Sequence, residues 1–124
     1  MVFKIAFASN DGENVNEHFG AARRFYIAQL DKEKEDYELS GEYREVTPSC
    51  KGGFHETDAF AAILKELDDV DVIVAQRAGP SAKKYIQEND KKIYEIPLTI
   101  EQALCLLLEE KEWEVSKWLS HTRN

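Results

Sequence analysis

Three residues with the chemistry of soft-metal ligands stand out in the sequence: His18, Cys50 and His55. His18 opens a His-Phe-Gly triplet just before an apolar run, whereas Cys50 and His55 share the loop TPSCKGGFHE. Thiolate and imidazole groups suit iron, zinc and copper, and imidazole also titrates near neutral pH. The spacing of Cys50 and His55 is not that of a zinc finger, which needs two ligand pairs. The residues instead predict an exposed site with few ligands, for a soft metal or the edge of a cluster.

Each candidate ligand also has a plainer structural interpretation. His-Phe-Gly is compatible with a simple polar turn, in which Phe19 fills the core and His18 points to solvent. Cys50 and His55 are equally compatible with a loop thiol and a histidine at the start of a helix. The three ligands together strengthen the functional interpretation, because all of them fall on loops that we expect at one end of a sheet.

Basic residues lie near the same segments of an acidic chain, and they are Arg23, Arg24, Lys51 and Arg77. They are either solvated charges or a local positive rim for an anionic ligand. RAGPSA, at residues 77–82, is a strand-to-helix turn around Gly79. Such a turn presents backbone N–H groups at a helix N-terminus, where anions bind.

The composition limits the class of protein. The chain has 124 residues with a formal net charge of −8, which argues against binding to nucleic acid or to an anionic membrane surface. No apolar run approaches the length of about 20 residues that spans a bilayer, and the apolar start is interpreted as a first strand rather than a signal peptide. We expect a cytoplasmic protein, with Cys105 buried in the core within ALCLLL.

The hydrophobic pattern predicts three strands, followed by alternating helices and strands. Strands are expected at 2–8, 24–30, 37–46, 71–76 and 91–96, and helices at 57–67, at 80–89 and after a capping box formed by Thr99 and Gln102. A single domain over 1–110 would then be followed by a C-terminal helical tail over 111–124. In that tail Trp113 and Trp118 would form a packing or dimer surface.

This element order predicts an α/β protein with a ribonuclease-H-like fold. The first three strands form an antiparallel meander, and the later alternation requires parallel crossovers in a mixed five-stranded sheet flanked by helices. Nuclease activity is excluded, because the first strand, VFKIAFA, lacks the carboxylate that a divalent-metal site would need there. Serine-hydrolase and P-loop signatures are absent as well.

Two motifs resemble the dinitrogenase iron–molybdenum cofactor biosynthesis family, which includes NifX- and NafY-type carriers and the C-terminal domain of NifB. They are H-F-G-x-A-x-x-F-x-I at 18–27 and D-V-I-V-x-x-x-A-G-P-x-A at 71–82. The resemblance covers about residues 2–108. It implies a protein that carries an iron–sulfur-type cluster or a cofactor precursor without transforming it, with donor and acceptor proteins of cofactor assembly as partners.

His18 matches the family motif, and Cys50 and His55 fall where relatives often keep a Cys and a His, so the resemblance implies these three as metal ligands. The basic residues and the helix start add Arg24, Arg77 and Gly79 to His18 as the predicted cofactor-binding set. No radical-SAM cysteine motif is present, so a full NifB-type enzyme is not expected. The main alternative is a protein-interaction or regulatory module of the same fold without metal. An enzyme with Cys50 as nucleophile is the third hypothesis, for which no orienting Asp or Asn stands out.

Overall fold

A computed structural model of the chain describes residues 2–31, 33–47 and 56–109. The predicted ligands Cys50 and His55, the basic residue Lys51 and the predicted tail over 111–124 lie outside these residues. In the described part, no helix combines the length and the apolarity of a membrane-spanning segment.

In the described part of the chain, five strands and three helices follow one another in the predicted order. They are β1 (Val2–Ala8), β2 (Arg24–Asp31), β3 (Asp36–Glu45), α1 (Glu56–Glu66), β4 (Val72–Ala75), α2 (Pro80–Glu88), β5 (Lys92–Glu95) and α3 (Ile100–Glu109). For the first seven elements, every predicted end falls within one residue of the observed end. The capping box of α3 is also confirmed, since the Gln102 N–H donates to Thr99 Oγ1 at 3.0 Å and the Thr99 N–H donates to Gln102 Oε1 at 3.1 Å.

The strands form one sheet in the order β3-β2-β1-β4-β5. β1 and β3 each pair with β2 in antiparallel register, whereas β4 is parallel to both β1 and β5. The predicted mixed sheet with an antiparallel meander is therefore confirmed.

Helices cover both faces of the sheet. On β1 the side chains alternate between two apolar clusters, because successive residues of a strand point to opposite faces. Phe3, Ile5 and Phe7 pack in the cluster that contains the buried residues of α3. Ala6 and Ala8 lie in the other cluster, with the buried residues of α1 and α2. This burial on both faces explains why β1 is apolar at nearly every position.

Cys105 is exposed on α3, so the prediction that it belongs to the core was wrong. The buried residues of this helix are Ile100, Ala103, Leu104 and Leu107. They follow the spacing i, i+3, i+4, i+7 of one helix face, and position 105 falls outside that face. The apolar run ALCLLL therefore has one buried side and one exposed side.

Polar contacts hold the edge of the sheet at which β4 begins. The Asp69 carboxylate bridges the Arg44 guanidinium of β3 and, at 2.8 Å, Lys4 Nζ of β1. Lys91, which is buried, donates its Nζ hydrogens to the carbonyls of Val70 at 2.7 Å and Asp68 at 3.0 Å. The residues that accept these contacts, Asp68, Asp69 and Val70, all precede β4. The carboxyl end of β4 therefore takes no part in them.

Candidate functional site

The predicted functional residues gather at the carboxyl ends of the parallel strands. β1, β4 and β5 all end at this edge, β2 begins there with Arg24, and β3 ends there with Glu45 opposite Arg24. Open α/β sheets bind ligands outside the carboxyl ends of their strands. The sheet therefore brings His18, Arg24, Arg77 and Gly79 to the edge at which this topology places ligands.

A short parallel bridge joins the His-Phe-Gly segment to the end of β4. His18 and Arg77 are partners in this bridge. The Phe19 N–H donates to the Arg77 carbonyl at 2.8 Å, and the Gln76 N–H donates to the Glu17 carbonyl at 2.9 Å. Backbone pairing thus places the two residues side by side, although they are far apart in the sequence.

His-Phe-Gly also forms a turn. The His18 carbonyl accepts hydrogen bonds from the N–H groups of Ala21 and Ala22, both at 3.0 Å. Phe19 is fully buried, with ring centroids 5.9 Å from those of Phe25 and Phe60. The backbone and Phe19 therefore perform the structural role that the plainer interpretation predicted.

The His18 side chain has no part in that structural role. Its residue is exposed, and the imidazole has no hydrogen-bond or ion-pair partner among the described residues. An imidazole that is held by a rigid backbone and is free of partners can accept a proton or coordinate a metal. This combination supports a functional role for His18.

The two consecutive arginines have different surroundings. Arg24 lies 5.0 Å from the centroid of the Tyr43 ring, and its hydrogen bond with the Tyr26 side chain raises the pKa of the guanidinium. Arg23 is exposed and lines a polar cleft of about 360 Å³ together with Arg24, Glu17 and the loop after β1. Both arginines line the cleft, but Arg24 is partly engaged by tyrosines; Arg23 belonged to the predicted basic rim and not to the predicted cofactor-binding set.

Gly79 is the N-cap of α2, with φ −69° and ψ 163°, and no side chain of the described residues caps the helix. This φ is open to any residue, and a Cβ atom added at Gly79 would meet no described atom within 4 Å. Neither the backbone nor the packing of the described residues requires glycine here. A close approach by a ligand would explain its use.

A carboxylate occupies part of the predicted anion site at this helix start. Glu95 Oε2 accepts the Ala78 N–H at 2.9 Å, and its Oε1 accepts Lys83 Nζ at 2.8 Å. Lys83, and next the Ala78 amide, lower the pKa of the Glu95 carboxyl group. Sequence reasoning missed Glu95, although its position at the end of a parallel strand was a usable signal. The turn at 77–79 is therefore held by Glu95, and the Ala78 N–H is not free for a ligand.

The segment that carries Cys50 and His55 is bounded by described residues beside the His18 turn. On one side, the Val46 N–H donates to the Arg23 carbonyl at 2.9 Å. On the other side, Phe60 of α1 contacts the Phe19 ring. The described residues themselves contain no cluster of three or more His, Cys, Asp or Glu side chains that could hold a metal ion. Whether Cys50 and His55 join His18 stays a prediction.

Comparison with known proteins identifies the family of the chain. The family model "Dinitrogenase iron-molybdenum cofactor" matches residues 1–110. The FeMo cofactor biosynthesis protein NifB of Sinorhizobium fredii is 33% identical over 85 residues, which cover 68% of this chain and 17% of that protein. The protein of the same name from Chlorobaculum tepidum is 31% identical over 100 residues, which cover 81% of this chain and 22% of that protein.

A solved structure supports the same architecture. The apo form of the orange protein from Desulfovibrio gigas matches with a TM-score of 0.62 at 21% identity, covering 86% of this chain and 87% of that one. This likeness concerns the fold alone. The chain spans less than a quarter of the length of the two NifB relatives. The family model, in contrast, covers nearly all of this chain. The chain belongs to the dinitrogenase iron–molybdenum cofactor family.

Proposed function

We propose that this chain binds and carries an iron–sulfur-type metallocluster or a precursor of the FeMo cofactor, without transforming it. The cargo is released to, or received from, other proteins of cofactor assembly. His18 is the ligand from the described residues, and Cys50 and His55 are the ligands expected from the segment beside it.

The bridge between His18 and Arg77 is the observation that carries this proposal. The bridge holds His18, with its exposed imidazole, next to Arg77, with its guanidinium group, at the carboxyl edge of the parallel strands. Gly79 follows two residues later, at a helix start where no side chain of the described residues fills the space. A bulky anionic cargo needs a ligand, a positive group and open room, and this edge offers a candidate for each.

The chemistry of the donors also fits a carried cluster rather than a resident one. Permanent iron–sulfur clusters are held by sets of cysteine thiolates, whereas this chain has only two cysteines, Cys50 and Cys105. A site built from one thiolate and one or two imidazoles leaves iron positions open for exchange. Few protein ligands therefore favour reversible binding.

The family supports the same class of cargo. The NifB relatives are named FeMo cofactor biosynthesis proteins, and the family model matches residues 1–110, a range that includes His18 and Arg77. The strand order and the directions of the strands also support the finer assignment of a ribonuclease-H-like fold. We extend both to this chain as parts of the proposal.

A second candidate is a protein-interaction or regulatory module of the same fold that binds no metal. The observation that favours it is the edge strand β3, whose ten residues are mostly exposed. An exposed edge strand can pair with a strand of another protein or of a second copy, which would give a homodimer.

Anaerobic reconstitution tests the proposal. Protein treated with ferrous iron and sulfide, then desalted, should show a visible charge-transfer absorption and contain both elements. The combined substitution of His18→Ala and Cys50→Ala should remove the absorption. The interaction module predicts that the wild-type chain gains no such absorption.

A matched variant keeps the number of potential ligands equal. Cys105→Ala combined with His121→Ala removes one thiol and one imidazole that have no role in the proposed site, so it should load like the wild type. Equal absorption in both double variants, or none in the wild-type chain, would show that the site is wrongly assigned. Arg77→Gln should weaken loading more than Lys84→Gln, which removes an exposed charge from α2.

A further inference from the structure

One side of α3 carries an apolar groove that is separate from the His18 edge. The groove has a volume of about 530 Å³ and is lined by Tyr37, Leu98, Cys105 and Leu106, with Glu101 and Glu109 among its polar residues. Leu98 is 40% exposed and Leu106 is 43% exposed. Two large apolar side chains and a thiol thus share one exposed surface, formed by α3 and the turn before it, which is typical of a contact site.

The chain continues directly from this groove. α3 is described as far as Glu109, which lines the groove, and residues 110–124 follow in the sequence. In their sequence, Val115, Trp118 and Leu119 have the spacing i, i+3, i+4 of one apolar helix face. In the sequence, three residues, 110–112, separate Glu109 from Trp113, and links of about 2–5 residues are long enough to join two antiparallel helices.

One charge contact is available to the same pairing. Among the described residues, the groove is lined by two carboxylates, Glu101 and Glu109, and by no Lys or Arg. Residues 113–119 contain two charged side chains, Glu114 and Lys117, and Lys117, beside Trp118, can pair with these carboxylates. A segment tethered by so short a link also has an effective concentration on the order of millimolar, which favours it over a second copy of the chain.

We propose that residues 113–119 occupy the α3 groove of the same chain, with Trp118 and Leu119 against Leu106 and Cys105. The matched family region ends at residue 110, so this contact is an addition to the family domain. It covers the apolar side of α3 and shields the Cys105 thiol.

The chain carries its own probe for this contact, because its two tryptophans are Trp113 and Trp118. Tryptophan fluorescence therefore reports only on this segment. In the full-length chain, Leu106→Gln should shift the emission maximum to the red and remove the protection of the tryptophans from iodide quenching. Val2→Gln is the matched control: Val2 is 54% exposed at the start of β1, so the same type of change should leave the emission unaltered.

Alkylation of Cys105 provides the reciprocal test. In Trp118→Gln, iodoacetamide should modify Cys105 about tenfold faster than in the wild type, because the covered state must open before the thiol reacts. Cys50, followed in the same peptide digest, should react at an unchanged rate.

Two results would overturn the proposal. One is wild-type emission and quenching equal to those of N-acetyltryptophanamide, with no change in Leu106→Gln. The other is protection of the tryptophans that is lost on dilution, because a second copy of the chain would then cover the groove.

Discussion

Phe19 and His18 allow the structural and chemical roles of the His-Phe-Gly turn to be separated by substitution. Phe19 is fully buried between Phe25 and Phe60, whereas the His18 side chain is exposed and has no partner among the described residues. We therefore expect Phe19→Ala to affect folding and His18→Ala to affect only the proposed cargo.

The expected loss of stability in each variant follows from the burial of the side chain that is removed. Truncation of a fully buried phenylalanine removes its transfer free energy and leaves a cavity, at a cost of about 3–5 kcal/mol. Loss of the two tilted aromatic pairs places Phe19→Ala toward the upper part of that range. An exposed substitution away from such features changes the free energy of unfolding by about 0.5 kcal/mol or less. The two neighbours should thus differ by several kcal/mol.

Urea unfolding of the metal-free protein, followed by circular dichroism, measures both values. Since domains of this kind are stable by only about 5–15 kcal/mol, Phe19→Leu provides a milder variant with an intermediate loss if Phe19→Ala does not fold. A loss in His18→Ala comparable to that in Phe19→Ala would refute the reasoning, because His18 would then be a structural residue.

Two further substitutions test the contacts at the opposite edge. Asp69→Asn should lower the free energy of unfolding by about 1 kcal/mol at pH 7, because ion pairs between partly exposed charges contribute little. Arg44, followed by Lys4, holds the pKa of Asp69 below its usual range, so this stabilisation is present above about pH 4 and is lost as the pH falls below it. The free energies of wild type and Asp69→Asn should converge in acid, and a constant difference from pH 7 to pH 2.5 would contradict the assignment. Lys91→Met should cost about 1–3 kcal/mol in urea unfolding, since the Val70 carbonyl loses its buried donor, and an unchanged midpoint would count against that bond.

The order of elements was predictable from sequence because periodicity reflects burial. β1 is apolar on both faces and packs on both faces, and the helices showed their spacing directly. The error at Cys105 came from treating an apolar run as uniformly buried. The 3.6-residue period that predicted Ile100 and Leu104 as core also places Cys105 outside their face.

The site was less predictable, because its geometry depends on contacts between distant segments. The motifs identified His18 and Arg77 separately, but their pairing is a backbone bridge between the His-Phe-Gly turn and the end of β4. The position of Glu95 at the end of a parallel strand was readable from the sequence, but the hydrogen bonds that it accepts from Ala78 and Lys83 were not, for the same reason. Local sequence patterns identify the chemical groups, whereas the pairing of the strands determines which of these groups lie close together.

Detection of a histidine nitrogen on the bound cluster tests the central claim most directly. The chain has three histidines, so His55→Ala combined with His121→Ala leaves His18 as the only imidazole. After anaerobic loading with iron and sulfide and reduction to a paramagnetic state, pulsed EPR should show the coupling of a directly bound imidazole nitrogen, and adding His18→Ala should remove it. A loaded cluster without that coupling, or one that keeps it after His18→Ala, would contradict the assignment of His18 as a ligand.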